Sequence, residues 1–339
     1  MTAPAASDLE VCRAMIRTGS LSFHAASRLL PAKVRDPALV LYAFCRVADD
    51  EVDEVATSDK AHAVLLLRDR LDLIYAARPR NAPCDRAFAA VVEQFDMPRT
   101  LPDALLEGLA WDACGRRYDS LSGVLDYSAR VAAAVGAMMC VLMRVREADV
   151  LARACDLGLA MQLTNIARDV GEDARAGRLF LPLDWLDEAG VDPEAFLSDP
   201  RPLPGLRRVT ARLLRKADAL YTRAEAGIPG LPLACRPGIF AARHIYDGIG
   251  ARVARAGYDS VTARARTGKA AKLGWLALAT LRAASSALLP APATLHARPE
   301  PEVAFLIDAA ARRSAAPARS DRLLSVLAQL EARDRGLAG

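Results

Sequence analysis

Apolar residues recur along this chain at three- and four-residue spacing, the signature of helices with one buried face. That pattern predicts helices over 9–17, 60–77, 84–95, 102–115, 122–145, 147–173, 205–227 and 236–257, and from Pro37 to Val55. Pro37 suits a first-turn position, where its missing N–H costs nothing. No run alternates apolar and polar residues long enough to argue for a strand. Breaks fall at Gly19-Ser20, 78–83, 96–102 and 174–204. The last contains five prolines and two glycines, yet its run Leu179-Phe180-Leu181-Pro182-Leu183 should pack down. Residues 1–7 read as disordered. The stretch from Pro290 to Pro317, rich in Pro, Ala and Arg, reads as a poorly constrained tail before an amphipathic helix over Ser320–Arg333. The expected organisation is a helical domain over 8–290 and a C-terminal tail over 291–339.

Composition sharpens this picture. Hydrophobic residues make up 53% but aromatics only 5%, so the core is built mainly from Ala, Leu and Val. Ala and Leu favour helix, and the fold class is all-α. The net charge of +4 arises from 45 basic and 41 acidic residues, a mixed surface that excludes a nucleic-acid footprint. Seven cysteines lack CxxC spacing, which suits a reduced, cytoplasmic compartment. Leu273–Leu289 is short for a membrane span and is interrupted by Arg282, Ser285 and Ser286. Two readings stay open for it: a buried core helix, or an interfacial helix flanked by Lys269 and Lys272 that associates peripherally with the inner membrane surface.

Two acidic clusters carry the candidate chemistry. In Arg46-Val47-Ala48-Asp49-Asp50-Glu51-Val52-Asp53-Glu54, a helix places Asp49 and Asp53 on one face, one turn apart, with Arg46 a turn earlier. Along Met161–Asp173, the residues Gln162, Asn165, Asp169 and Asp173 are spaced three, four and four. They trace a polar stripe on an otherwise apolar helix, and such a stripe must be paired, hydrated or holding a ligand. Clustered carboxylates need a compensating cation, and oxygen-only ligands favour Mg2+, which binds through a few carboxylates plus substrate phosphates. Two DxxxD faces across a cavity would hold a magnesium-bridged diphosphate, with Arg46 and Arg168 adding charge-assisted contacts. Asp50, Glu51, Glu54 and Glu172 read as surface or supporting acids. A single DxxxD is more often a solvated face; two, each with an Arg on an apolar helix, favour a site. Phe23 and Phe44 read as ordinary core, and Trp111 and Trp185 as packing.

These residues resemble the signatures of the squalene/phytoene synthase family. Ser20-Leu21-Ser22-Phe23, Leu30-Pro31 and Ala38–Asp53 are similar to its opening motif. Gln162–Asp173 followed by Gly177–Pro182 resembles its second, and Tyr127 with Val131–Gly136 a weaker motif between them. Arg243-His244-Ile245-Tyr246, and Tyr258-Asp259 with Arg264, resemble its late helices. The similarity is greatest to bacterial phytoene synthases. It implies a single-domain, all-α isoprenoid-synthase bundle around a central cavity. By match, Asp49, Asp53, Asn165, Asp169 and Asp173 would hold metal, the four aspartates also being catalytic. Ser20, Ser22, Tyr42, Arg46, Gln162, Arg168, Tyr246 and Arg264 would contact substrate. The implied reaction joins two geranylgeranyl diphosphates head to head through prephytoene diphosphate to phytoene. It would use Mg2+, with Mn2+ as a substitute, and no NADPH. The alternatives are a dehydrosqualene or squalene synthase acting on farnesyl diphosphate, and a non-catalytic homologue serving as an assembly protein.

Overall fold

The computed structural model describes residues 4–19, 26–53, 60–288 and 292–311, and among these there is no strand. Helices follow one another along the chain: α1 Ala6–Gly19, α2 Ala32–Asp53, α3 Lys60–Tyr75, α4 Pro83–Phe95 and α5 Thr100–Ala113. Next come α6 over Leu121–Leu142, α7 Ala148–Arg175, the short α8 Leu183–Glu188 and α9 Pro193–Ser198, and α10 Pro204–Glu225. Last are α11 Arg236–Arg255, α12 Lys269–Ser285 and α13 Ala304–Ala310.

Helix α7 is the central post. Asp149 in its first turn and Arg175 in its last complement the helix dipole. Leu151, Leu159, Leu163, Ile166 and Val170 are buried around it, against α6, α10 and α11. Small residues let α6 and α7 touch backbone to backbone: a Cβ on Gly136 would lie 2.7 Å from the Ala154 carbonyl oxygen, and one on Gly158 2.6 Å from Ala133 Cα. By length and composition α6 is apolar enough to cross a membrane, but 67% of that window is buried within the protein. Its apolarity therefore serves the core.

Several boundaries differ from the periodicity. Helix α2 begins at Ala32, so Pro37 sits inside it rather than in its first turn. Helix α6 is not uniform: Ala129–Ala133 forms a π segment where Val131 passes over Gly108 of α5, whose added Cβ would lie 2.5 Å from Val131 Cγ1. Helices α3, α4 and α6 stop at left-handed residues that are not glycine, namely Ala77, Asp96 and Arg144, with φ of 56°, 50° and 62°. Without a glycine to mark them, the ends of α3 and α6 read two or three residues too long.

The two C-terminal segments also depart from expectation. Helix α12 is not a buried core helix: Ala279 and Ala283 pack on the body, while Leu273 is 67% and Leu281 69% exposed. The stretch read as an unconstrained tail after residue 290 is packed over 292–311, with Val303 and Leu306 fully buried. The expected helix over Ser320–Arg333 lies outside the described residues.

Candidate functional site

Four helices, α2, α6, α7 and α11, enclose an apolar cavity. Leu41, Val135, Met139, Leu157, Met161 and Ile239 are among its walls. Tyr42 of α2 and Tyr246 of α11 also line it, and burial raises the pKa of both hydroxyls. Gln162 and Asn165 border this cavity and also a second, polar one. Asp49, Asp112, Tyr127, Arg168, Asp169 and Asp173 line the polar cavity, together with Arg178 and Phe180. The structure thus brings Asp49 of the first cluster and the whole second stripe to one place, at the mouth of an apolar chamber.

Guanidinium groups hold the acids. Arg168 donates from Nε to Asp169 Oδ1 at 2.7 Å and from Nη2 to Oδ2 at 2.5 Å. Arg264 donates to the same two oxygens, at 2.7 and 3.1 Å. Arg178 Nη2 lies 3.2 Å from Asp173 Oδ1. Burial pushes the Asp173 carboxyl up to about 6, against the pull of Arg178, and the neighbouring Asp169 adds to the rise. Arg46 pairs along its own helix with Asp50 at 2.5 Å and Asp49 at 3.6 Å, and lines neither cavity.

Local backbone explains how Arg264 arrives. Residues 258–268 form a loop, not a helix as the late motif suggested. The Gly171 N–H donates to the Ser260 carbonyl at 3.0 Å, and a Cβ on Gly171 would lie 2.6 Å from Val261 Cα. Glycine within the second acidic motif is therefore what seats the loop on α7.

Among the described residues, no three acidic, His or Cys side chains converge closely enough to hold a cation. The donor set nonetheless suits a hard one: its groups are oxygens, and the buried Asn165 Oδ1 has no hydrogen-bond partner. Asp53 is the last residue of α2, and its side chain lies outside the described residues, as do Ser20, Ser22, Phe23 and Glu54. Glu51 pairs with the buried Arg70. Glu172 lies 3.1 Å from Arg264. Phe44 is core, stacked on Phe88 at 4.2 Å.

Three lining residues escaped the motif-based site. Asp112 accepts a hydrogen bond from Tyr127 Oη at 2.8 Å, and Tyr127 stacks on Phe180 at 5.1 Å. Asp112 shares the leucine-rich α5 with Asp103 and Glu107, nine and five residues away, so no DxxxD spacing flags it. Tyr127 and Arg178 stand within the quoted motifs, but nothing in their spacing points to a role.

Comparison with known proteins follows the same outline. The profile of the family described as squalene/phytoene synthase matches residues 16–273. A phytoene synthase of Cereibacter sphaeroides is 68% identical over 342 residues, covering 98% of this chain and 96% of that protein. One of Rhodobacter capsulatus is 68% identical over 335 residues, covering 98% and 99%. Among solved structures, a dehydrosqualene synthase in complex with ligand superposes with a TM-score of 0.75 at 28% identity, covering 82% of this chain and 97% of that one.

Proposed function

Because the chain belongs to the squalene/phytoene synthase family, we propose that it is the phytoene synthase that joins two geranylgeranyl diphosphates head to head. It is a prenyl transferase acting on prenyl diphosphates, as its full-length relatives are phytoene synthases. The observation that carries the choice of a C20 tail is the length of the apolar cavity. Lining residues on α7 run from Asn165 to Val150, about 22 Å of helix at 1.5 Å per residue. An extended C20 prenyl chain is roughly 20 Å long and a C15 chain roughly 15 Å, from ordinary carbon–carbon bond lengths.

The chemistry divides between the two cavities. Asp49, Asp53, Asn165, Asp169 and Asp173 would hold Mg2+, with Mn2+ as a substitute. The metal would stabilise the departing diphosphate. Arg168, Arg178 and Arg264 now bind carboxylates, and the same guanidinium forks suit diphosphate oxygens. Tyr42, Gln162 and Tyr246 stand where the allylic end of the tail would meet that head group. The allylic cation left when one substrate's C–O bond to diphosphate breaks adds to the double bond of the other, and loss of a proton as the ring closes gives the cyclopropyl prephytoene diphosphate. A second ionisation, rearrangement and proton loss yield phytoene with no reductant. Apolar walls keep water from trapping the cation as an alcohol. Ser20, Ser22 and Arg46 complete the proposed substrate contacts.

Purified protein with geranylgeranyl diphosphate and Mg2+, without NADPH, should release phytoene. Product only from farnesyl diphosphate would overturn the C20 assignment. The chain is further proposed to work in the cytoplasm, against the inner membrane face. The exposed Leu273, Leu281 and Leu288 of the α12 region, with Lys272 and Arg282 beside them, support that placement. Flotation with anionic liposomes should retain the wild type and release Leu273→Glu/Leu281→Glu; equal flotation would remove α12 from the contact.

A further inference from the structure

The apolar cavity has a direction. Its polar end is at Gln162 and Asn165, and α2 and α11 run towards that end through Tyr42 and Tyr246. Helix α6 runs the other way, from Val131 to Met143. At the far end the lining is Met143, Val150, Arg153, Ile228 and Leu231.

That far end is braced from behind. Arg153 is 1% exposed, although it borders an apolar chamber. Its Nη1 donates to the Thr294 and Leu295 carbonyls at 2.7 and 3.3 Å, and its Nε lies 2.8 Å from Asp156 Oδ2. Arg223 donates to the same Asp156 oxygen at 3.1 Å, to Glu300 at 2.8 Å and to the Arg298 carbonyl at 2.8 Å. The segment 294–300 is therefore strapped across the back of α7.

The turn at 227–231 is seated just as tightly. A Cβ on Gly227 would lie 2.2 Å from Arg153 Cβ, and one on Gly230 2.5 Å from Val150 Cγ2. A wall pinned on both sides cannot retreat before a longer ligand. Prenyl tails differ by one isoprene unit, roughly 5 Å, close to the pitch of one helical turn. One turn of α7 at this end is thus the difference between a C15 and a C20 tail.

We propose that this braced end is the ruler for the prenyl tail, with Val150 and Ile228 as the residues that set the longest tail accepted. The ruler rests on the phytoene synthase reading, since it presumes that the tail lies in this cavity. Val150→Phe fills the last turn, and Ile228→Ala deepens it.

The test measures kcat/KM for C15, C20 and C25 prenyl diphosphates on the wild type and both variants. Val150→Phe should raise the C15-to-C20 ratio at least about tenfold, and Ile228→Ala the C25-to-C20 ratio by a similar factor. Circular dichroism and a cooperative melt check that each variant is folded. If Val150→Phe does not fold, Ile228→Ala decides alone. Flat ratios in folded variants of an active enzyme overturn the ruler and leave the parent reading intact. A wild type that turns over none of the three substrates removes both.

Discussion

Arg264 holds Asp169 from a loop 95 residues away, donating through Nε and Nη2 to both carboxylate oxygens. The clamp makes one carboxylate the meeting point of two guanidinium groups, because Arg168 binds the same oxygens from within α7. Two guanidinium forks thus converge on one carboxylate, and the same forks suit the oxygens of an anionic head group.

Removing the acids should silence the reaction and spare the fold. Asp49→Ala and Asp169→Ala are expected to lower kcat by at least about a thousandfold, the scale for losing charge stabilisation at a leaving group. Both variants should keep the wild-type helical spectrum. Near-normal turnover by either would refute the assignment.

Shortening the clamp should act on the diphosphate. Arg264→Gln is expected to reduce kcat/KM about 10- to 100-fold, with Arg264→Lys recovering only part of it, because an ammonium cannot form the paired hydrogen bonds. Steady-state kinetics checks this. Full rescue by Lys would reduce Arg264 to a point charge.

Stability should carry the mark of Asp173. Its folded-state carboxyl lies near 6, above its ordinary value, so between pH 4 and 6 the folded state binds more protons than the unfolded one. Its contribution is therefore most favourable at low pH and is lost as pH rises through about 6. Relative to Asp173→Asn, the wild type should lose on the order of 2–3 kcal/mol across that window. Denaturant melts at pH 4 and 7.5, without added metal, measure the difference. A difference that grows in the wild type's favour on raising the pH would contradict the buried-acid account.

Breaking the brace should cost more than its size suggests. Arg153→Met leaves Asp156 buried with only Arg223 as its cationic partner, and burial already pushes that acid up to about 6. A loss of about 3 kcal/mol is expected, with Arg153→Met/Asp156→Leu losing less than the sum of the two single changes. Urea melts of the cycle report it. Strict additivity would mean that the two groups do not act together.

The sequence disclosed the site unevenly, for physical reasons. The stripe Gln162, Asn165, Asp169 and Asp173 was legible because helix periodicity alone puts it on one face. Arg264 was legible only through resemblance, since no spacing rule links a loop to a helix so far back in the chain. Asp112 gave no signal, as its spacing from Asp103 and Glu107 on α5 makes no DxxxD pattern. The packing of 292–311 was hidden because Arg153 grips backbone carbonyls, and carbonyls look alike behind every side chain. The fold class was the easy part: Ala and Leu at helical spacing leave no other economical way to bury this chain. Helix ends were harder where Ala77 and Arg144 take the left-handed turn that glycine would have announced.

The strap over the far end of the cavity also bears on how the protein is made. The walls of the chamber lie within residues 26–246, whereas the carbonyls and Glu300 that brace it come from 294–300. On a ribosome, the greasy chamber is synthesised well before the piece that pins its far wall. Until then Asp156, Arg153 and Arg223 have only one another, and the nascent chain presents an unfinished lipid pocket to whatever hydrophobic molecules are near.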